Sequence, residues 1–246
     1  MLLFIAATAV SCSKNDSKPS YAIDMTSVNL NYDKEHQYVV KSGNTVVDNK
    51  TLTWSSSDET VGTVGTSGLF KANRIGKTTV KAEINGLILV SEVVVSPYST
   101  LCKEPVLDFG VSMATIKSKE TRTLNGESAV ALRFAGENAK LRDVRYLFDG
   151  TGLNSAMLLI TETEAIVEES ARFISERYDY LGESDDMYIF GDKKVLIAVN
   201  VHADLGFNFL YFKNTAALTG KAAIQAVQKA YKGEPQPLTL KYLNQN

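Results

Sequence analysis

The groups that could titrate, attack or coordinate are few in this chain. It has two histidines, His36 and His202, and two cysteines, Cys12 and Cys102. A zinc site of the usual His/Cys kind would need carboxylates in most of its positions, so neither a metal nor a cofactor is expected. The densest acidic group is Glu183, Asp185 and Asp186, with His202 and Asp204 on a later strand or turn. General acid–base catalysis requires two titrating groups whose surroundings separate their pKa values. Acids in a Gly-Glu-Ser-Asp-Asp turn read instead as a solvated hairpin. No Gly-x-Ser-x-Gly elbow, phosphate-cradling loop or metal-ligand pair at helical spacing occurs. The chain is therefore expected to have no catalytic residues and not to be an enzyme. Two rival readings stay open: a carbohydrate-active hydrolase working through Asp185 or Asp186, and an inhibitor of a secreted or envelope enzyme.

Aromatic residues offer recognition rather than reaction. Phe207, Phe209 and Tyr211 alternate along one face of a strand, with Leu210 and Phe212 on the other. Such a stripe ordinarily packs as core against helices. Were it open, with Tyr188 or Tyr178 beside it, it would be a stacking surface for sugars or an anchor for a protein. The 26 basic and 28 acidic residues leave a net charge of -2, which gives no positive field for a phosphate backbone and argues against nucleic acid as a partner. No apolar run reaches the roughly 20 residues of a membrane-spanning helix.

The elements that must position these residues begin with a processing signal. Residues 2–10 are a short apolar run, followed by Ser11 and Cys12. That length suits a signal-peptide core. The segment Thr8-Ala9-Val10-Ser11-Cys12 resembles a lipobox, which implies cleavage before Cys12 and a diacylglycerol on its thiol. On this reading residues 1–12 are a lipoprotein signal and residues 13–21 a polar tether unable to bury enough surface to fold. Ser13-Lys14-Asn15-Asp16 also resembles the lysine-plus-acidic signal of surface lipoproteins of the Bacteroidetes, with Asn15 where an acid is usual. The resemblance implies an outer-membrane protein, lipid-anchored and facing the cell surface, whose first partner is the membrane itself.

Residues 22–97 alternate short β-rich runs with turn residues, as an all-β sandwich does. In Thr78 to Ile84, strict alternation puts Val80, Ala82 and Ile84 on one face and Lys81 and Glu83 on the other. The stretches Thr53-Trp54-Ser55-Ser56-Ser57-Asp58-Glu59, Val61-Gly62-Thr63-Val64, Ser67-Gly68-Leu69-Phe70-Lys71-Ala72 and Gly76-Lys77-Thr78-Thr79-Val80 resemble the group 2 bacterial immunoglobulin-like domain. The resemblance implies that Trp54 is a core residue and that Gly68 and Gly76 serve turns. It also implies a spacer role in surface proteins and adhesins, presenting another domain. His36 is expected in a solvated hairpin beside Lys34 and Glu35.

Pro97 and Pro105 break the strand pattern and mark a linker holding Cys102, expected as a packed small residue. Residues 101–246 read as a single α+β domain. A short helix capped by Ser112 is followed by strands at residues 128–135, 143–148 and 153–161. A clear amphipathic helix at 164–177 is followed by strands at 186–190, 194–201 and 206–212, and a last helix at 219–231 caps the sheet. The motif Leu124-Asn125-Gly126-Glu127-Ser128 parallels Leu181-Gly182-Glu183-Ser184, both taken as turns. Two helix-plus-three-strand repeats are thus expected, an arrangement that resembles the tandem repeat fold of beta-lactamase inhibitor protein. That resemblance implies binding of a glycan or protein ligand on a sheet face.

Overall fold

A computed structural model describes residues 20–184 and 187–233. Cys12, the signal segment, most of the tether, Asp185 and Asp186 lie outside the described residues. The first unit is built of β1 (Tyr21–Ile23), β2 (Ser27–Asn31), β3 (Glu35–Gln37), β4 (Val40–Ser42), β5 (Thr45–Val46), β6 (Thr53–Ser56), β7 (Gly62–Val64), β8 (Leu69–Ala72), β9 (Gly76–Ile84) and β10 (Leu87–Ser96). Its largest sheet runs β2-β10-β9-β6, with the smaller sheets β1-β4-β5 and β3-β8-β7. Val80 and Ala82 are buried and Lys81 and Glu83 exposed, so the alternation in β9 sets which face packs. Tyr38, Phe70 and Val80 are fully enclosed in this core. Trp54 is only partly buried: it stacks on Tyr38 at 5.8 Å and its indole N–H donates to the Asn49 carbonyl at 3.0 Å. Gly68 has φ +78, and a Cβ there would lie 2.9 Å from the Trp54 ring and 2.5 Å from the Asn49 amide, so glycine is required on both counts.

His36 departs from expectation. It is a strand residue, paired with Phe70, and its ring meets Tyr38 edge-on at 4.6 Å. The polarity that suggested a loop belongs to Lys34, just before β3, and to Glu35 and Gln37 on its exposed side.

The unit is long as well as compact. Asn85, at the β9–β10 turn, donates to the Tyr21 hydroxyl at 3.0 Å, which places the chain's entry at that end. The exit, Ser96, lies at the other end of β10. Ten residues of extended chain at about 3.3 Å each separate the two by roughly 30 Å.

The second unit comprises α1 (Met113–Lys119), β11 (Leu124–Glu127), β12 (Ala131–Ala135), β13 (Leu141–Asp149), β14 (Gly152–Ile160), α2 (Glu164–Ser175), β15 (Asp179–Ser184), β16 (Met187–Gly191), β17 (Val195–His202), β18 (Gly206–Lys213) and α3 (Gly220–Gly233). All eight strands form one sheet in the order β11-β12-β13-β14-β18-β17-β16-β15. The expected three strands after each helix are therefore corrected to four. The missing strands, β11 and β15, are the two Gly-Glu segments read as turns. Each is an edge strand carrying a bulge just before its glycine, with register shifts at Leu124/Gly126 and Tyr180/Gly182. A bulge breaks the period-two pattern by which a strand is read.

Each helix starts as its residues dictate. Ser112 caps α1 by accepting the Thr115 N–H, and Thr163 caps α2 by accepting the Ile166 N–H. On one sheet face α1, α2 and the linker cover Leu132, Tyr146, Leu158, Phe209 and their neighbours, and on the other α3 covers Leu159, Ile189, Leu210 and Phe212 with Ala223 and Val227. A layer on each face is what an eight-stranded sheet with little polar surface needs.

Candidate functional site

Four of the five aromatic candidates are core. Phe209 and Tyr211 are completely buried, Phe207 and Tyr178 retain 8 % exposure, and Phe173 of α2 sits 6.1 Å from Phe209. The stripe in β18 is thus covered by the helix, as a run of large apolar residues on a two-layered sheet must be, and an open stacking face built on Phe207, Phe209, Tyr211 and Tyr178 is corrected to a packed one. Tyr178 has a polar task there: its hydroxyl donates to Glu104 of the linker at 2.7 Å. Burial, then the Glu104 charge, drives the Tyr178 hydroxyl far above the usual tyrosine range, and burial raises Glu104 despite that bond and Arg177. The Arg177 guanidinium lies 3.8 Å over the Phe173 ring.

Tyr188 is the exception. It is more than half exposed, and it shares its side of the sheet with Tyr180 (55 %) and Val201 (58 %), beyond the strip that α2 covers. Antiparallel pairing makes this grouping: Tyr188 stands opposite Glu183 and Val199, and Tyr180 opposite Phe190, with rings 5.4 Å apart. Between this end of the sheet and α2 lies a groove of about 590 Å³, lined among others by Glu162, Val167, Glu183, Tyr188, Val201 and Phe207. No basic side chain lines it among the described residues. Tyr180, Val201 and Val167 escaped sequence reasoning because the bulge in β15 hid the strand that turns Tyr180 to this face.

Of the candidate acid–base groups, Glu183, His202 and Asp204 are among the described residues, and Asp185 and Asp186 lie outside them. The Nδ1 of His202 accepts the Asp204 backbone N–H at 3.1 Å within the β17–β18 turn, and Glu183 faces the groove. Among the described residues no cluster of His, Cys, Asp and Glu could hold a metal. Burial, then Glu137, pushes the Cys102 thiol up to about 12, so the nucleophilic thiolate is absent at neutral pH.

Linker and domains are instead fastened by buried charge. Glu176, fully buried at the end of α2, accepts the backbone N–H groups of Tyr98 at 2.7 Å and Ser99 at 3.2 Å, while its own carbonyl accepts Ile75 N–H of the first unit at 3.0 Å. Arg74 pairs with Asp179 across the same junction. At the far end of the linker, Arg122 binds Glu120, Glu137 and the Lys103 carbonyl. Burial alone would raise Glu137, but its bonds to Arg122 and to the Lys103 N–H outweigh it and hold the carboxyl below its ordinary range. A depressed carboxyl stabilises the fold above the unfolded value, about 4.3, and that contribution is lost as pH falls through the lower folded value. The urea midpoint is accordingly expected to drop more steeply below pH ~4 in the wild type than in Glu137→Gln. Parallel acid limbs would remove this role.

No curated protein matches the chain by sequence. Among solved structures, the S-layer protein SbsC, domains 5-6, aligns at 13% identity and TM-score 0.28 over 82% of this chain and 86% of that one. Domains 4-9 of the surface layer protein SbsC align at 13% identity and TM-score 0.29 over 82% of this chain and 28% of that one. Likeness at that level carries no argument. Residues 19–85 match the bacterial Ig-like domain (group 2), and with the β architecture above this makes the N-terminal unit an Ig-like domain.

Proposed function

We propose that this chain is a non-catalytic binding protein of the cell envelope, anchored by a lipid on Cys12, in which the Ig-like domain is a spacer and the groove beside α2 receives a protein partner. The observation that carries this reading is the exposure of Tyr180, Tyr188 and Val201 on one sheet face, Tyr188 and Val201 both lining the groove beside α2. Grouped exposed apolar residues mark interaction surfaces, and tyrosine is favoured at their energetic centres. Glu162 and Glu183 line the groove and no basic side chain does so among the described residues, which suits a partner that brings an apolar anchor flanked by basic residues. The spacer role is supported by the roughly 30 Å between entry and exit of the Ig-like domain and by the clamp at Glu176, which fixes the angle at which the groove is presented.

Replacing both exposed rings, Tyr180→Ala with Tyr188→Ala, is expected to leave the circular dichroism unchanged and to weaken binding of an outer-membrane partner by about 30-fold or more. A pull-down from outer-membrane extracts, run beside a glycan array, reads this directly. Loss of a glycan in the same variant would change the ligand class to sugars. Undiminished retention of every ligand would remove the groove from the function. Labelling cells with a palmitate analogue is expected to mark the wild type and not Cys12→Ala; equal labelling of both would refute the anchor.

A further inference from the structure

The junction between the two units encloses a second hollow, of about 560 Å³, whose walls come from both: Asp58, Thr60, Arg74 and Lys77 from the Ig-like domain, and Asp179 and Lys194 among those from the other. It lines up five basic with three acidic side chains, one of the five, Arg177, being paired with Glu104 and Glu176 outside it. The acids are engaged locally, although Asp58 and Asp192, bonded by neutral donors, keep their charge. Asp58 accepts the backbone N–H of Thr60 at 3.0 Å and its hydroxyl at 2.6 Å, Asp192 accepts the N–H groups of Lys194 and Val195 at 2.7 and 2.8 Å, and Asp179 pairs with Arg74. The lysines are not: among the described residues Lys77, Lys193 and Lys194 form no ion pair. Lys194 acts on Asp58 only at longer range, behind the Thr60 hydroxyl. A third hollow, of about 460 Å³, shares Asp192, Lys193 and Lys194 with this one and adds Lys213, so the two border the same turn. The ion pair of Arg74 and the bond from Ile75 to Glu176 hold the walls in place without any ligand.

We propose that this interdomain cleft binds an acidic polysaccharide, its carboxylates spaced along Lys77, Lys194, Lys193 and Lys213. Two hollows bordering one turn fit an extended chain better than a single small anion, and lysines are mobile point charges that can each meet one of a series of spaced anionic groups. The cleft's walls, and not the tyrosine groove, carry the site, so it stands or falls apart from the function proposed above.

The test titrates the full soluble chain with an α-1,4-linked galacturonic acid oligomer, a neutral oligosaccharide of the same length, inorganic phosphate and a single-stranded oligonucleotide, at low and at physiological salt. Binding of the uronate oligomer alone is expected, weakening as salt rises. It should fall about tenfold in Lys77→Gln with Lys194→Gln, as two charge contacts in a half-enclosed site would dictate, and stay unchanged in Lys41→Gln with Lys50→Gln, which removes the same charge from exposed positions elsewhere. Equal loss in both pairs, equal binding of the neutral sugar, the phosphate or the oligonucleotide, or no binding of the uronate would each overturn the proposal.

Discussion

Arg122→Ala is expected to destabilise the second unit by about 3–5 kcal/mol, the usual consequence of removing one partner from a buried ion cluster. The Arg122 side chain is 3% exposed and Glu120 beside it 2%, joined at 2.9 Å. Its loss strands the Glu120 carboxylate, loosens Glu137, and leaves the Lys103 carbonyl, now 2.6 Å from the guanidinium, without that donor. The damage spreads further because the Tyr146 hydroxyl donates to Glu120 while accepting the Val106 N–H at 2.9 Å. One residue thereby ties the end of α1, the segment after β12 and two points of the linker. Arg122→Lys keeps the charge without the fork and is expected to recover only part of the loss. Urea denaturation reads both. A loss below ~1 kcal/mol for alanine would show the cluster to be dispensable, since exposed pairs give values of that size.

Glu176→Ala is expected to cost about 3 kcal/mol and, more tellingly, to free the linker. The change leaves the N–H groups of Tyr98 and Ser99 without their carboxylate acceptor, and each unmet buried donor costs about 1–3 kcal/mol. Ser99 is buried, so water does not readily replace the bond. The Ile75 bond is to the Glu176 backbone and survives the substitution, which separates the linker's fastening from the direct contact between units. Limited proteolysis should therefore cut Glu176→Ala within residues 97–105 well before the wild type. Identical cleavage rates would mean that the carboxylate does not hold the linker.

Much of this architecture was legible in the residues. The alternation in β9, the turn glycine Gly68, the cap Ser112 and the amphipathic α2 all act locally, and local chemistry survives in sequence, whereas Gly76, expected in a turn, opens β9. Aromatic alternation in β18 was read correctly as period two, but alternation alone does not say whether a helix lies over that face. What failed were features set by distant partners. β11 and β15 are strands only because β12 and β16 pair with them across a bulge. Tyr180 and Val201 become neighbours of Tyr188 only through pairing across β15, β16, β17 and the edge of α2. Glu176, the keystone of the junction, looks in sequence like one more acid at the end of a charged helix; its partners are 77 and 78 residues away.

The central claim, that the groove beside α2 and not the Ig-like domain meets the partner, is tested most directly by site-specific photo-cross-linking in intact cells. A benzophenone side chain would replace Tyr188 in the groove in one strain and Ile88, also more than half exposed but on the Ig-like domain, in another. The account predicts a discrete protein adduct from position 188 and none from position 88. An adduct from position 88 with none from position 188 would contradict it, and would make the module taken here for a spacer the part that binds.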